Sequence, residues 1–448
     1  MQKETIIVLG AGESGVGSAI LAKKQGYNVF VSDGGAIVDV YKKTLENYSI
    51  NFETGEHKLL YEYTPAMVIK SPGIPDKAEA VKFFLKKNIP VISEIEFAGK
   101  YSDAKMICIT GSNGKTTTTL LTYHLLKTAG YNVGLAGNVG MSLARQVAED
   151  PHEYYVLELS SFQLDGMFNF KADIAILLNI TPDHLDRYDY KFENYIASKF
   201  RVAQNQTQSD AFIYCKDDTT LSAWMKDHKI NASLYSFSIK ENASATANEQ
   251  ELIFDIAGKK ENISTSTLTI QGKHNWYNAM AAGSAALLVG LNKTQIEEGF
   301  KTFKNAEHRL EKVTVVDGVV YINDSKATNV DSVWYALDSM TSPVIWIVGG
   351  VDKGNDYSVL ESFVNKKVKG IISLGKDNSI LQALYGEKGK LFYSTDSISE
   401  AVLKAKEWGK NGDVVLLSPA CASFDLFKNY IDRGNQFKSL VHQLNHSN

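Results

Sequence analysis

Met106-Ile-Cys-Ile-Thr110-Gly111-Ser112-Asn113-Gly114-Lys115-Thr116-Thr117 is the stretch on which the fold turns. Its apolar opening suits a strand buried on both faces, and a helical pattern follows the glycines. Strand, glycine loop and helix N-terminus make a setting for phosphate. Glycines let backbone N–H groups close around the oxygens, and the helix end adds positive potential. Lys115 would meet the β- and γ-phosphates, and Thr116 is placed for Mg²⁺. The strict phosphate-loop pattern wants a further glycine where Ile109 stands, so this loop is short. A strand–turn–helix that merely contains Gly and Lys is the plainer alternative.

The same order recurs at the N-terminus. Ile6–Leu9 leads into Gly10-Ala-Gly12-Glu-Ser14-Gly15, and Asp33 ends the next apolar run. Alone, G-x-G-x-x-G with a later acid reads as a dinucleotide fingerprint, hence an NAD-dependent oxidoreductase. A UDP-sugar offers the same diphosphate and ribose. Two phosphate loops in one chain favour a nucleotide-linked substrate plus ATP.

Further apolar runs fall into three sets. They are Ile6–Leu9, Val29–Val31 and Met67–Ile69; Met106–Ile109, Tyr155–Leu159 and Ile174–Leu178; Val344–Val348, Gly370–Leu374 and Val414–Leu417. Alternation with helical patterns predicts parallel α/β sheets, and three sets predict three domains. The expected bounds are 1–97, 98–304 and 305–448. Residues 231–270, where Leu252, Phe254, Leu268 and Ile270 alternate with polar neighbours, predict a small antiparallel addition to the central domain. Gly299–Asn305 reads as the link to the third.

The bulk numbers agree with an ordinary globular chain. Its 448 residues are 44% apolar and 22% charged, with a net charge of -4, which points to neither nucleic acid nor a membrane surface. Three scattered cysteines argue against a disulfide framework or zinc site. No leader is evident at the N-terminus and no run is long enough to span a bilayer, so the cytoplasm is expected.

Here the chain resembles the Mur ligases. Gly111-Ser-Asn-Gly-Lys-Thr-Thr117 looks like their ATP loop, followed in family order by three more motifs: Gly272-Lys-His-Asn275-Trp-Tyr-Asn278, Glu307-His-Arg309-Leu-Glu311 and Asn323-Asp324-Ser-Lys326-Ala-Thr328-Asn329. The run from Leu417 to Gly434, Ser71-Pro-Gly73-Ile-Pro75 and the N-terminal glycine loop resemble the member that adds D-glutamate. The resemblance implies three α/β domains: Rossmann-like, ATPase-like and Rossmann-like. It further implies ligation of D-glutamate to UDP-N-acetylmuramoyl-L-alanine through an acyl phosphate, with ADP and phosphate released, in peptidoglycan synthesis.

Residue by residue, the resemblance carries a metal site onto Thr116, Glu158, His184 and Lys199, the lysine as a carbamate. Lys115, Glu158, His184, Lys199 and Lys326 are the implied catalytic residues. ATP would meet Gly111, Ser112, Asn113, Gly114, Lys115, Thr116, Thr117, Asn275, Asn278, Arg309 and Asp324. The UDP-linked substrate would meet Ser14, Asp33, Ser71, Gly73, Asn138, Ser160 and His184. D-glutamate would meet Lys326, Thr328, Lys353, Ser423, Phe424 and Tyr430. Read singly, each has a plainer alternative: Asn138 as turn chemistry between glycines, His184 as a loop or core histidine, Lys199 and Lys353 as surface charges. ATP and Mg²⁺ are the implied cofactors, the partners small molecules only, and the state a monomer. One departure stands out. Asp33 is followed by Gly34-Gly35, where better-known relatives carry a hydroxyl and a cation for uracil and phosphate. Uracil recognition is therefore expected to rest more on backbone N–H groups.

Overall fold

The structure is a computed structural model that describes residues 3–270, 272–352, 354–386 and 390–444. Among these residues the strands form three sheets, and each apolar run named above falls on a strand of the expected sheet, Leu159 and Leu178 lying just past their strand ends. The first sheet is wholly parallel, ordered Asn51–Thr54, Asn28–Asp33, Thr5–Leu9, Met67–Lys70, Val91–Ser93. Its central strand buries Ile6, Ile7, Val8 and Leu9 completely, as a parallel sheet covered by helices requires.

The second sheet has nine strands. Lys105–Thr110 is an interior strand between Ile174–Leu177 and Tyr154–Glu158, all parallel, so the phosphate loop and Glu158 emerge at the same end. In α/β sheets that end is where ligands collect. The antiparallel addition is present as Ala245–Ala247, Glu251–Ile256 and Lys259–Ser264. Leu252, Phe254 and Ile256 point to the core at a period of two, as alternation demands. Leu268 and Ile270 differ from expectation: they are buried but follow the 3₁₀ turn Thr265–Thr267, outside any strand.

The third sheet is parallel except for its edge strand Glu311–Val316, which pairs antiparallel with Val319–Asn323. The remaining strands run Val414–Leu417, Val344–Val348, Val368–Leu374 and Leu391–Thr395.

By contacts the chain divides into two compact units. One is Met1–Thr269 with Trp276–Phe303, holding the first two sheets; the other is Ile270–Asn275 with Lys304–Asn448. In the first unit, helix Glu13–Lys24 packs on helix Leu143–Glu149. The approach is so close that a Cβ on Gly17 would stand 2.0 Å from Ser142 Oγ. Helix Glu94–Gly99 runs through the expected boundary at 97. Gly299 is no linker: it lies within helix Lys293–Thr302, and a Cβ there would stand 2.5 Å from Leu125 Cδ2. The glycine serves close helix packing, and the helix ends only at Thr302. No helix among the described residues is long and apolar enough to cross a membrane.

Candidate active site

The phosphate loop is four residues between strand Lys105–Thr110 and helix Lys115–Thr128. Ile109 belongs to the strand and is fully buried, which is why the missing glycine leaves the cradle intact. Gly111 (φ +152°) and Gly114 (φ +83°) take conformations that side chains oppose. At Gly114 a Cβ would also stand 2.6 Å from Asn278 Oδ1. The loop is stapled to the end of a neighbouring strand: Ser112 N–H donates to Asn179 O at 2.9 Å, and Asn113 N–H to Asn179 Oδ1 at 2.8 Å. Thr118 Oγ1 donates to Asn278 Oδ1 at 3.1 Å, which brings Asn278 to the loop as expected. Lys115 Nζ curls over the loop, donating to Gly111 O and Ser112 O, each at 2.8 Å. Thr116 and Thr117 are buried in the first helical turn.

Behind the loop lies Lys199, on helix Phe192–Phe200 and buried. Burial drives its amine well below the usual lysine range; the Lys115 cation adds to this, against Asp183, Asp165 and Glu158. A lysine in this state favours the neutral, nucleophilic amine. Its Nζ lies 4.8 Å from the ring centroid of Tyr195, whose hydroxyl is 3.2 Å from Ser112 Oγ. Tyr195 thus connects the lysine to the loop and escaped the sequence reading, although its place four residues before Lys199 on one helix face was visible.

Glu158 ends its strand and is buried. Asn138 Nδ2 donates to its Oε1 at 2.8 Å, while Oε2 has no hydrogen-bond partner among the described residues. His184 sits in the left-handed region (φ 53°), exposed, its ring against Phe162 and its Nε2 3.6 Å from Asp183 Oδ2. Among the described residues no three His, Cys, Asp or Glu side chains gather at metal-binding spacing. Ser160 caps helix Ser161–Asp165 in a reciprocal pair with Gln163.

The N-terminal glycine loop is equally close-packed. A Cβ on Gly15 would stand 1.9 Å from Gly10 O, and one on Gly10 (φ +90°) 2.6 Å from Ser71 Oγ. That buried hydroxyl has no hydrogen-bond partner among the described residues and lies against the loop. Ser14 lies in the first turn of helix Glu13–Lys24 and Gly73 is exposed nearby in sequence to Ser71. Asp33 binds backbone: Ala11 N–H donates to Oδ2 at 2.7 Å and Gly35 N–H to Oδ1 at 2.8 Å.

In the second unit three strand-end segments converge on one side chain. Arg433, 1% exposed, donates to Ser325 Oγ (3.0 Å), Ser325 O (2.9 Å) and Cys421 O (3.2 Å). It also reaches Gly349 O at 3.5 Å. Those segments carry Lys326, Thr328 and Ser423, so Arg433 fixes their relative places. Lys326 Nζ lies 5.5 Å from the Tyr430 ring centroid, and Ser423 is buried. Phe424 is exposed, a large apolar ring in solvent. Lys353 lies outside the described residues.

Asp324 is buried and accepts from Ser418 Oγ (2.8 Å) and Leu310 N–H (3.1 Å). Burial raises its carboxyl to about 7, against those bonds and the Arg309 and Arg433 cations. Asn275 is buried beside Gly272, whose carbonyl accepts its N–H at 2.9 Å.

Comparison with known proteins supplies the context. The chain matches the family descriptions MurD N-terminal domain over residues 5–80, Mur ligase middle domain over 109–286, and Mur ligase, glutamate ligase domain over 308–421. It is 52% identical over 441 residues to a UDP-N-acetylmuramoylalanine–D-glutamate ligase of Bacteroides fragilis, covering 98% of this chain and 99% of that one. Among solved structures it resembles the UDP-N-acetylmuramate-alanine ligase of Thermotoga maritima (TM-score 0.64, 17% identity, 98% and 99% of the two chains). It also resembles a MurF ligase of Thermotoga maritima in complex with ADP (TM-score 0.62, 15% identity, 94% and 95% covered). At these identities the structural likeness speaks for the fold.

Proposed function

The chain belongs to the Mur ligase family, and from that premise we propose that it joins D-glutamate to UDP-N-acetylmuramoyl-L-alanine, consuming ATP and releasing ADP and phosphate, in peptidoglycan precursor synthesis. One observation carries the reading: a glycine cradle backed by a buried lysine, on a chain 52% identical over 98% of its length to a ligase of that name.

The loop amides and Lys115 hold the γ-phosphate for the L-alanyl carboxylate. A carboxylate oxygen attacks phosphorus, the bond to the bridging oxygen breaks, and ADP leaves. The amine of D-glutamate then attacks the acyl carbon, the tetrahedral state collapses, and phosphate departs. Positioning and charge neutralisation supply most of the acceleration. Asn275, Asn278, Arg309 and Asp324 serve ATP. Ser14, Asp33, Ser71, Gly73, Asn138, Ser160 and His184 serve the UDP-linked substrate. Lys326, Thr328, Lys353, Ser423, Phe424 and Tyr430 serve D-glutamate, whose two carboxylates call for cations and hydroxyls.

A divalent cation fits the donor set. Glu158 Oε2 is a buried hard oxygen without a hydrogen bond among the described residues. The neutral Lys199 amine can attack CO₂ and release a proton, becoming an anionic carbamate. Thr116, Glu158, His184 and carbamylated Lys199 would hold Mg²⁺, which when bound neutralises phosphate charge. The protein acts on small molecules, in the cytoplasm, as a monomer.

Phosphate release in the presence of ATP and UDP-N-acetylmuramoyl-L-alanine tests the assignment against a panel of amino acids. D-glutamate is expected to support turnover. Turnover with L-alanine, L-lysine or diaminopimelate instead would reassign the chain within its family.

A further inference from the structure

The Gly34-Gly35 pair leaves the end of strand Asn28–Asp33 without side chains where a nucleoside is expected, yet that space is furnished from elsewhere. A Cβ on Gly34 would stand 3.1 Å from Nε2 of His57, a residue beyond the neighbouring strand Asn51–Thr54. The imidazole edge therefore borders the space a residue-34 side chain would enter. Two of the backbone amides there are already engaged: Gly35 N–H donates to Asp33 Oδ1 at 2.8 Å, and Ile37 N–H to Thr54 Oγ1 at 3.2 Å.

The polarity of His57 follows from the chain of bonds behind it. Ser32 Oγ is 2.6 Å from Glu53 Oε1 and 2.7 Å from His57 Nδ1. Glu53 is buried and also accepts the N–H groups of Lys58 (3.0 Å), Leu59 (2.8 Å) and Leu60 (3.2 Å). Burial pushes its carboxyl up, but the Ser32 hydroxyl and those amides outweigh burial and hold it below the usual range, hence ionised. An ionised carboxylate accepts only, so the single Ser32 proton goes to Glu53. Ser32 Oγ must then accept from His57, which puts the imidazole proton on Nδ1. In the neutral imidazole Nε2 is then the lone-pair acceptor, and it makes no hydrogen bond among the described residues.

We propose that His57 is the nucleoside-contact residue of the N-terminal domain, its Nε2 accepting a hydrogen bond from the uridine part of the UDP-linked substrate in the space that Gly34 leaves open. The inference rests on the proposed function for the identity of the nucleotide. Uridine offers two donors of the required kind, the uracil N3–H and the ribose hydroxyls. A base with an acceptor at N3, as in cytidine, would meet the Nε2 lone pair with its own.

The test uses the full-length enzyme with three substitutions. His57→Asn keeps an N–H donor to Ser32 and removes the outward acceptor. His57→Gln carries an acceptor out to the Nε2 position. His57→Ala removes both. Loss of one such bond corresponds to about tenfold in binding. His57→Asn and His57→Ala are expected to raise KM for the UDP-linked substrate by about that factor, with kcat and the KM for ATP and D-glutamate unchanged. His57→Gln should recover part of the loss. Calorimetry with UDP, N3-methyl-UDP and 2′-deoxy-UDP tells the donors apart: the analogue lacking the donor loses about tenfold on wild type and nothing more on His57→Asn. An unchanged KM in His57→Asn, or equal losses on wild type and variant for both analogues, overturns the proposal. UDP binding to His57→Asn reads this contact even if the wild type shows no D-glutamate-dependent turnover, so failure of the ligase reading is seen separately.

Discussion

Asn138 and Glu158 are joined twice: the Asn138 amide Nδ2 donates to Glu158 Oε1 and its backbone N–H donates to Glu158 O, both at 2.8 Å. One carboxylate oxygen is thereby anchored and the other, buried, has no hydrogen bond among the described residues. The asparagine thus holds one oxygen of a candidate metal ligand, alongside the substrate contact proposed for it.

Asn138→Ala should therefore weaken the response to magnesium. Removing a partner that orients a metal ligand costs typically 10–100-fold in affinity or activity. A magnesium titration of phosphate release should show the half-saturating concentration rise by about that range. An unmoved titration would leave Asn138 as turn chemistry alone.

Lys199→Met should abolish turnover without loss of fold. The substitution replaces a buried amine, costly to desolvate, by an apolar side chain of similar length, so the melting temperature should hold or rise. Wild type in labelled bicarbonate should give a carbamate carbonyl resonance that the variant lacks. Substantial activity in Lys199→Met, or no such resonance in active wild type, contradicts the assignment.

Glu94 should make stability depend on pH with a definite sign. It is buried and accepts from Ala144 N–H (2.7 Å) and Ser142 Oγ (2.8 Å), and burial raises its carboxyl from 4.5 to about 7. The folded chain holds this proton up to about pH 7, the unfolded chain only to about 4.5. Between those values the folded state binds more protons, so stability falls as pH rises, by roughly 3 kcal/mol in all. Glu94→Gln keeps an acceptor for both donors and lacks the titration. Thermal melts across pH 4.5–8 should fall less steeply for the variant.

Much of this was legible beforehand, and the rest failed for one physical reason. Continuous apolar runs such as Ile6–Leu9 and Val344–Val348 announce buried parallel strands, since a covered sheet has no polar face. Gly111 and Gly114 were legible because only glycine takes those φ values cheaply. Tyr195 beneath Lys199, Asn138 on Glu158, His57 at Gly34 and Arg433 across three loops were not read. Each is a contact between residues far apart in the chain or a choice of partner among several. The Gly299 reading failed because a glycine in a helix packed on Leu125 looks, in sequence, like a glycine in a link.

Arg433→Met should act on D-glutamate before anything else. The buried guanidinium ties the segments at Ser325, Gly349 and Cys421, and its loss strands several buried carbonyls at a cost of about 1–3 kcal/mol each. The KM for D-glutamate should rise at least tenfold, with a smaller change for the UDP-linked substrate. Arg433→Lys should fail too, because the three N–H groups of one ammonium nitrogen cannot reach the four acceptors that the guanidinium joins across three segments. Equal changes in every kinetic constant would reduce Arg433 to a stabiliser of the fold.

The central claim is that the cradle at residues 111–117 presents a triphosphate to a substrate carboxylate. UDP-N-acetylmuramoyl-L-alanine labelled with oxygen-18 in its alanyl carboxylate tests it most directly. With ATP and D-glutamate present, the account predicts one labelled oxygen in each phosphate released. Phosphate carrying no label from the carboxylate would contradict it.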